Sequence, residues 1–162
     1  MKTVLIMRHA KSSWDNSGLS DHDRPLNDRG HQDAPRMGEL LKAEGLVPDL
    51  IISSTAKRAW QTAENAAYAC GYDNAIELTG DLYHAPAETY FEILKEVKDR
   101  YQIVMVVGHN PGISDFLDEL TDSYEQMTTA NIAHVELDIS SWDNLEEGTI
   151  GRLCNLWRPK EL

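Results

Sequence analysis

Apolar residues in this chain come as short unbroken runs, separated by longer stretches in which they recur every three or four positions. The first run is the strand predicted over Thr3 to Met7, with Val4, Leu5 and Ile6 uninterrupted. Asp49 to Ser53 encloses Leu50, Ile51 and Ile52, and Ile103 to Val107 is apolar at every position. Such runs predict strands covered on both faces, as in a parallel interior sheet. Between them the period becomes helical. Asn27 predicts the cap of a helix running to about Ala43, with Leu40 and Leu41 inward and Gly45 ending it. Pro35 lies inside that pattern and predicts a kink or a later start. Ser54 or Thr55 predicts the cap of a second helix, whose Ala59, Ala63, Ala66, Ala67 and Cys70 share one face before Gly71 stops it. A short strand over Ala75 to Leu78 precedes a helix from Pro86, with Tyr90, Leu94 and Val97 inward. Pro111 opens another helix, with Ile113, Phe116, Leu117 and Leu120 inward. The closing segments, His134 to Ile139 and Gly151 to Leu156, alternate and predict half-exposed or antiparallel strands. Strand and helix alternating in this order predict an α/β fold: a three-layer α/β/α sandwich around a mostly parallel central sheet.

Size and charge narrow the function classes. No repeat, low-complexity tract or linker divides the chain, and 162 residues suit one domain spanning 1–162. A formal net charge of −12 repels nucleic acid and anionic membrane, so neither is an expected partner. No apolar run approaches the roughly 20 residues of a membrane span. The start of the chain reads as a strand without a cleavage pattern, which makes a cytoplasmic location the expectation. Cys70 and Cys154 lack CxxC spacing and read as reduced thiols. The His and Cys spacing carries no metal-ligand signature, so no metal and no cofactor are expected.

Candidate chemistry sits where the strand runs end. The first strand ends on Arg8-His9, the central one on Gly108-His109, and the second leads through Ser53-Ser54 into a helix whose first turn carries Arg58. Ligands of open α/β sheets collect at the carboxyl ends of the strands, so two histidines and two arginines are expected to converge there. Arginine forks match phosphate oxygens bidentately. An imidazole can take a phosphoryl group covalently, and a second can donate to its equatorial oxygens, where the transition state gathers charge. The helix starts near Thr55 and Pro111 add a favourable dipole. Each residue alone also has an ordinary reading, as a polar strand end, a capping or core histidine, or a surface arginine; the convergence makes the case. No GxGxxG follows the first strand, which argues against dinucleotide binding.

These residues resemble the histidine phosphatase superfamily, and within it the small SixA-type phosphohistidine phosphatases. The matching segments are Leu5 to Trp14, Asp23 to Gly30, Ser54 to Ala63, Val106 to Pro111 and the tail Leu156 to Lys160, in order along the whole chain. The resemblance implies a phosphoglycerate mutase-like fold and a metal-independent hydrolase. In it His9 is the phosphorylated nucleophile, while Arg8, Arg58 and His109 bind the phosphoryl group. Arg24 is similar to an arginine that reaches the site edge, although pairing with Asp21 or Asp23 is the plainer reading. Ser12 either touches phosphate or turns the loop. Two positions depart from the family pattern: Ala10 replaces a glycine, which requires a negative φ there, and Thr55 replaces a proline and is expected to keep the helix cap. Larger members place an acidic general acid after the third-strand region and carry a lid, for which this chain is too compact. Asp81, His84 and Glu88 occupy that region as candidate acids without a matching motif. An N-phosphorylated imidazole leaves once protonated on its other nitrogen, so a missing acid suits such a substrate. The expected function is removal of phosphate from phosphohistidine in signalling proteins. The alternatives are a phosphatase for small phosphomonoesters of the same superfamily and a catalytically silent phosphate-binding regulatory module. Expected partners are accordingly a phosphorylated protein or a small phosphorylated substrate, with Trp14 beside the mouth.

Overall fold

A computed structural model describes residues 1–162. Its six strands are β1 (Lys2–Arg8), β2 (Leu50–Ser54), β3 (Ile76–Thr79), β4 (Ile103–Gly108), β5 (Ile132–Leu137) and β6 (Arg152–Trp157). They form one sheet in the order β3-β2-β4-β1-β5-β6. The four strands from β3 to β1 run parallel, β5 is antiparallel to β1, and β6 is antiparallel to β5. The helices are α1 (Asp28–Ala43), α2 (Lys57–Cys70), α3 (Ala87–Lys95) and α4 (Gly112–Thr121).

The continuous apolar run of β1 is explained by its two covered faces. Leu5 and Met7 join Met37, Leu41, Ala63 and Met105 in the core beneath α1 and α2. Val4 and Ile6 join Tyr90, Phe116, Val104 and Val106 beneath α3 and α4. Each such aliphatic side chain removed from water contributes about 1.5–3 kcal/mol. No helix is long and apolar enough to cross a membrane.

Three local expectations are corrected. Helix α1 passes through Pro35 as a single element and starts at Asp28, where Asn27 Oδ1 accepts from Gly30 N at 2.9 Å. It is seated on α2 at Gly38, whose missing Cβ lets the backbone of Ala66 approach. Helix α2 starts at Lys57, after Ala56, and no side chain caps it in the usual way. Ser54 stays in β2 and accepts from Ala56 N, while the Thr55 hydroxyl meets His22 Nε2 at 3.0 Å, so Thr55 does not cap the helix. Val97 lies past the end of α3, which stops at Lys95.

The β5–β6 ladder contains a bulge: His134 faces Asn155 and Val135 faces Leu153, leaving Cys154 as the extra residue. The bulge draws ligand atoms of His134, Glu136 and Cys154 within 4.8 Å of one another, a cluster invisible in their spacing. Glu136 there already holds Arg152 at 2.7 Å, and Cys70 and Cys154 are both free thiols.

Candidate active site

Strand register builds the centre of the site. In the β1–β4 ladder Arg8 is the partner of Gly108, so the next residues, His9 and His109, emerge side by side at the carboxyl edge. Their ring centroids are 5.2 Å apart, and His9 N donates to Gly108 O at 3.1 Å. Strand β2 flanks β4 on its other side with Ser53 opposite Val107, which brings Ser54 Oγ to 2.8 Å from His109 Nε2. Gly108 is needed at the end of β4 because Tyr90 passes there: an added Cβ would stand 2.0 Å from Tyr90 Oη.

His9 has its ring held in one orientation. It is 7% exposed, and its Nδ1 lies 2.7 Å from Ala10 O. A carbonyl only accepts, so Nδ1 carries the proton and the neutral ring keeps its lone pair on Nε2. Burial, reinforced by Arg8, Arg58 and Arg24, pushes the His9 pKa down to about 3 against the raising effect of the Ala10 carbonyl. His109 is lowered to about 3 as well, by burial first and then by His9 and Arg58. Ala10 fits without a glycine: its φ is not positive, its N donates to Thr62 Oγ1 at 2.9 Å, and it is fully buried.

Arg58, only 4% exposed in the first turn of α2, donates from Nη1 to Asp21 O at 2.7 Å and from Nη2 to Asp21 Oδ2 at 3.0 Å. Arg8 donates from Nη1 to Met127 O at 3.2 Å, and burial followed by the charge of Arg58 lowers its pKa. Three buried side-chain nitrogens find no partner within the protein: Arg8 Nε, Arg58 Nε and His109 Nδ1. All three belong to the constellation expected from the sequence. An unsatisfied buried polar group costs about 1–3 kcal/mol, a penalty that an anion accepting from it removes.

The remaining candidates separate by position. Arg24 is buried and pairs with Asp21 Oδ1 through Nε at 3.2 Å, the plainer of its two readings, and its charge is among those that lower the His9 pKa. Ser12 Oγ accepts from Arg24 Nη1 at 3.0 Å and so positions that arginine. Of the three candidate acids only His84 reaches the site. Its ring lies on Tyr83 at 4.0 Å and 6.4 Å from that of His109, in a left-handed backbone with φ 55°. Asp81 points outward from a turn whose Leu82 enters the core, into a cleft with Thr89, Glu92 and Glu96. Glu88 sits on the outer side of α3, among Asp115, Asp118 and Glu119. Neither Asp81 nor Glu88 joins the histidines, because the inward positions of their elements are taken by apolar residues.

Asp21 is the residue that sequence reasoning did not place in the site. It accepts from Arg58, from Arg24 and, at 2.6 Å, from Tyr83 Oη, with His84 Nε2 3.8 Å away. The Tyr83 hydroxyl first, joined by the charge and hydrogen bond of Arg58 and the hydrogen bond of Arg24, holds its carboxyl well below the usual carboxylate range against the raising effect of burial. Tyr83 is raised in turn, by burial and by Asp21. The only signal in the sequence was an aspartate three residues before Arg24, a spacing common in any polar loop.

The sequence that carries this arrangement is matched by a known family. The model of the histidine phosphatase superfamily (branch 1) matches residues 4–102. The chain belongs to this superfamily. An uncharacterised chloroplast protein of Arabidopsis thaliana is 30% identical over 151 residues, 88% of this chain and 69% of that protein. An uncharacterised Mycobacterium tuberculosis protein is 39% identical over 108 residues, 67% of this chain and 65% of that one. Among solved structures of the superfamily, a protein assigned as the phosphohistidine phosphatase SixA of Agrobacterium tumefaciens is 30% identical. It superposes with a TM-score of 0.82 over 98% of both chains. The phosphoglycerate mutase-like α/β architecture expected from the sequence is therefore the architecture observed.

Proposed function

We propose that this histidine phosphatase superfamily member moves a phosphoryl group from phosphohistidine in a protein onto its own His9 and then to water. The observation that carries this reading is the tautomer of His9: Nδ1 is committed to Ala10 O, so Nε2 is the attacking atom, beside three unpartnered donors. In the first step the Nε2 lone pair forms the bond to phosphorus, and the donor's P–N bond breaks with its electron pair leaving on the donor imidazole, protonated on its other nitrogen. In the second step water attacks phosphorus, the P–Nε2 bond breaks, and the water proton passes to solvent or phosphate. Arg8, Arg58 and His109 face the equatorial oxygens and offset the charge spread across them. The two arginines supply the positive charge that metal ions supply in other phosphoryl transfer sites, and the neutral His109 supplies a hydrogen bond, so EDTA is expected to leave the rate unchanged. The likeness to SixA supports a substrate presented on a protein surface.

The test is a comparison of rates on a histidine-phosphorylated protein, on p-nitrophenyl phosphate and on sugar phosphates, together with the variant His9→Ala. The expected result is highest kcat/KM on the phosphohistidine protein, a loss of at least about 1000-fold in His9→Ala, and an acid-labile, base-stable phosphoryl label on the wild type. Activity retained in His9→Ala overturns the mechanism. A clear preference for a small phosphomonoester replaces the substrate assignment with the second member of the same reaction class.

A further inference from the structure

Beside the phosphate pocket lies a second cleft of opposite character to the rest of the molecule. It measures about 290 Å³, is lined by polar and charged residues apart from Pro159, and is rimmed by Lys11, Arg29 and Lys160. The one carboxylate there, Asp33, is committed to Arg29 at 3.3 Å. Lys11 and Lys160 pair with no carboxylate anywhere in the fold. In a chain of net charge −12 this concentration stands apart; the cleft between α3 and α4, for comparison, is lined by Glu88, Asp115, Asp118, Glu119 and Glu147.

Topology puts the cationic cleft on the same edge as His9. Lys11 follows the end of β1, and its carbonyl accepts from Asn27 N at 3.0 Å, which ties it to the start of α1. Strand β5 is antiparallel to β1 and begins opposite Met7, so Thr128 and Thr129, just before it, also lie at this edge. Strand β6 ends at Trp157 opposite Ile132, which delivers Lys160 to the same place. Lys11 lies two positions after His9, so their Cα atoms are at most about 7 Å apart. On the same loop as Lys11, Trp14 is 74% exposed, with its ring 3.5 Å from the Arg24 guanidinium. An exposed tryptophan three positions along the loop from a cationic cleft supplies the elements of a protein docking surface, an aromatic anchor with charges that select the partner.

We infer that Lys11, Arg29, Lys160 and Trp14 form a docking face for the acidic surface around a phosphohistidine on a partner protein, an inference that rests on the phosphohistidine reading above. Carboxylates neighbouring the phosphorylated residue meet the lysines while the phosphoryl group reaches His9. None of the four residues contacts the reacting atoms, so the face acts on protein substrates and leaves small ones alone.

The test uses the double variant Lys11→Glu/Lys160→Glu and the single variant Trp14→Ala. Substrates are a histidine phosphotransfer domain phosphorylated on histidine and p-nitrophenyl phosphate. Expected for the double variant is a fall of at least tenfold in kcat/KM on the phosphorylated domain, carried by KM, with p-nitrophenyl phosphate within twofold of wild type. Wild-type activity on the domain should fall between 50 and 300 mM salt, and this dependence should flatten in the double variant. Trp14→Ala should lower activity on the domain alone. An equal loss on both substrates overturns the inference by assigning the lysines to the phosphate pocket. No loss on either substrate overturns it and leaves the phosphatase reading intact. A wild type active on p-nitrophenyl phosphate and inert on the phosphorylated domain removes the substrate reading, and the docking face with it.

Discussion

A proton on one imidazole nitrogen decides what His9 can do, and the neighbouring carbonyl of Ala10 decides where that proton sits. The arginines around it need equal control, and a single carboxylate supplies it. Asp21 holds Arg58 and Arg24 at once, while Asp23, two residues on, meets only His22 at 3.4 Å and is 66% exposed. Bonds between charged groups contribute about 1.5–3 kcal/mol each. Asp21→Ala is therefore expected to lower kcat/KM about 10- to 100-fold with its circular dichroism unchanged, and Asp23→Ala to stay within twofold. Equal behaviour of the two variants would remove the positioning role from Asp21. This residue also marks the limit of what the sequence discloses. His9, Arg8, Arg58 and His109 were legible because each sits at the end of a recognisable strand or in the first turn of a helix. Asp21 and Tyr83 were not, because their partners lie 37 and 62 residues away and nothing local distinguishes them from other polar loop residues.

At the scale of elements, apolar runs revealed strands β1, β2 and β4 almost to the residue, and the helical faces of α1, α2 and α4 were equally plain. The misread details share a cause. Pro35 was expected to kink α1 or delay its start, and Ser54 or Thr55 to cap α2, from local chemistry alone; α1 nevertheless starts at Asp28, packed on α2, and Ser54 and Thr55 direct their hydroxyls to more distant groups. The close fit where β4 meets α3 offers a direct test. Tyr90 is fully buried, stacked on Phe116 at 5.2 Å, and its Oη occupies the space where residue 108 would carry a side chain. Gly108→Ala is expected to cost about 1–3 kcal/mol by overpacking, read as a Tm lower by roughly 2–12 °C. Adding Tyr90→Phe removes the obstructing oxygen and should recover part of that loss. Strict additivity in the double variant would show that the two positions do not collide.

For the whole molecule, the buried histidines link stability to pH. In the unfolded chain His9 and His109 titrate near 6.5; in the folded protein both stay neutral down to about 3. The unfolded state thus binds more protons through this window. The stability contributed by the neutral rings is fully present above pH 6.5 and is lost progressively as pH falls toward 3, at about 1.4 kcal/mol per pH unit for each ring. Urea unfolding at pH 7.5 and pH 5 should show wild type weaker at pH 5 by a few kcal/mol, and His9→Asn/His109→Asn should lose less over the same interval. Equal slopes would mean that the rings titrate as freely in the folded protein as in the unfolded chain.

The pairing of Arg8 with Gly108 has a consequence for the way this architecture can diversify. The two imidazoles are held by the innermost seam of the sheet, roughly a hundred positions apart along the polymer, and no connecting loop sets their spacing. Loops can therefore lengthen, shorten or change charge, altering which molecules are admitted, while the two imidazoles keep their separation.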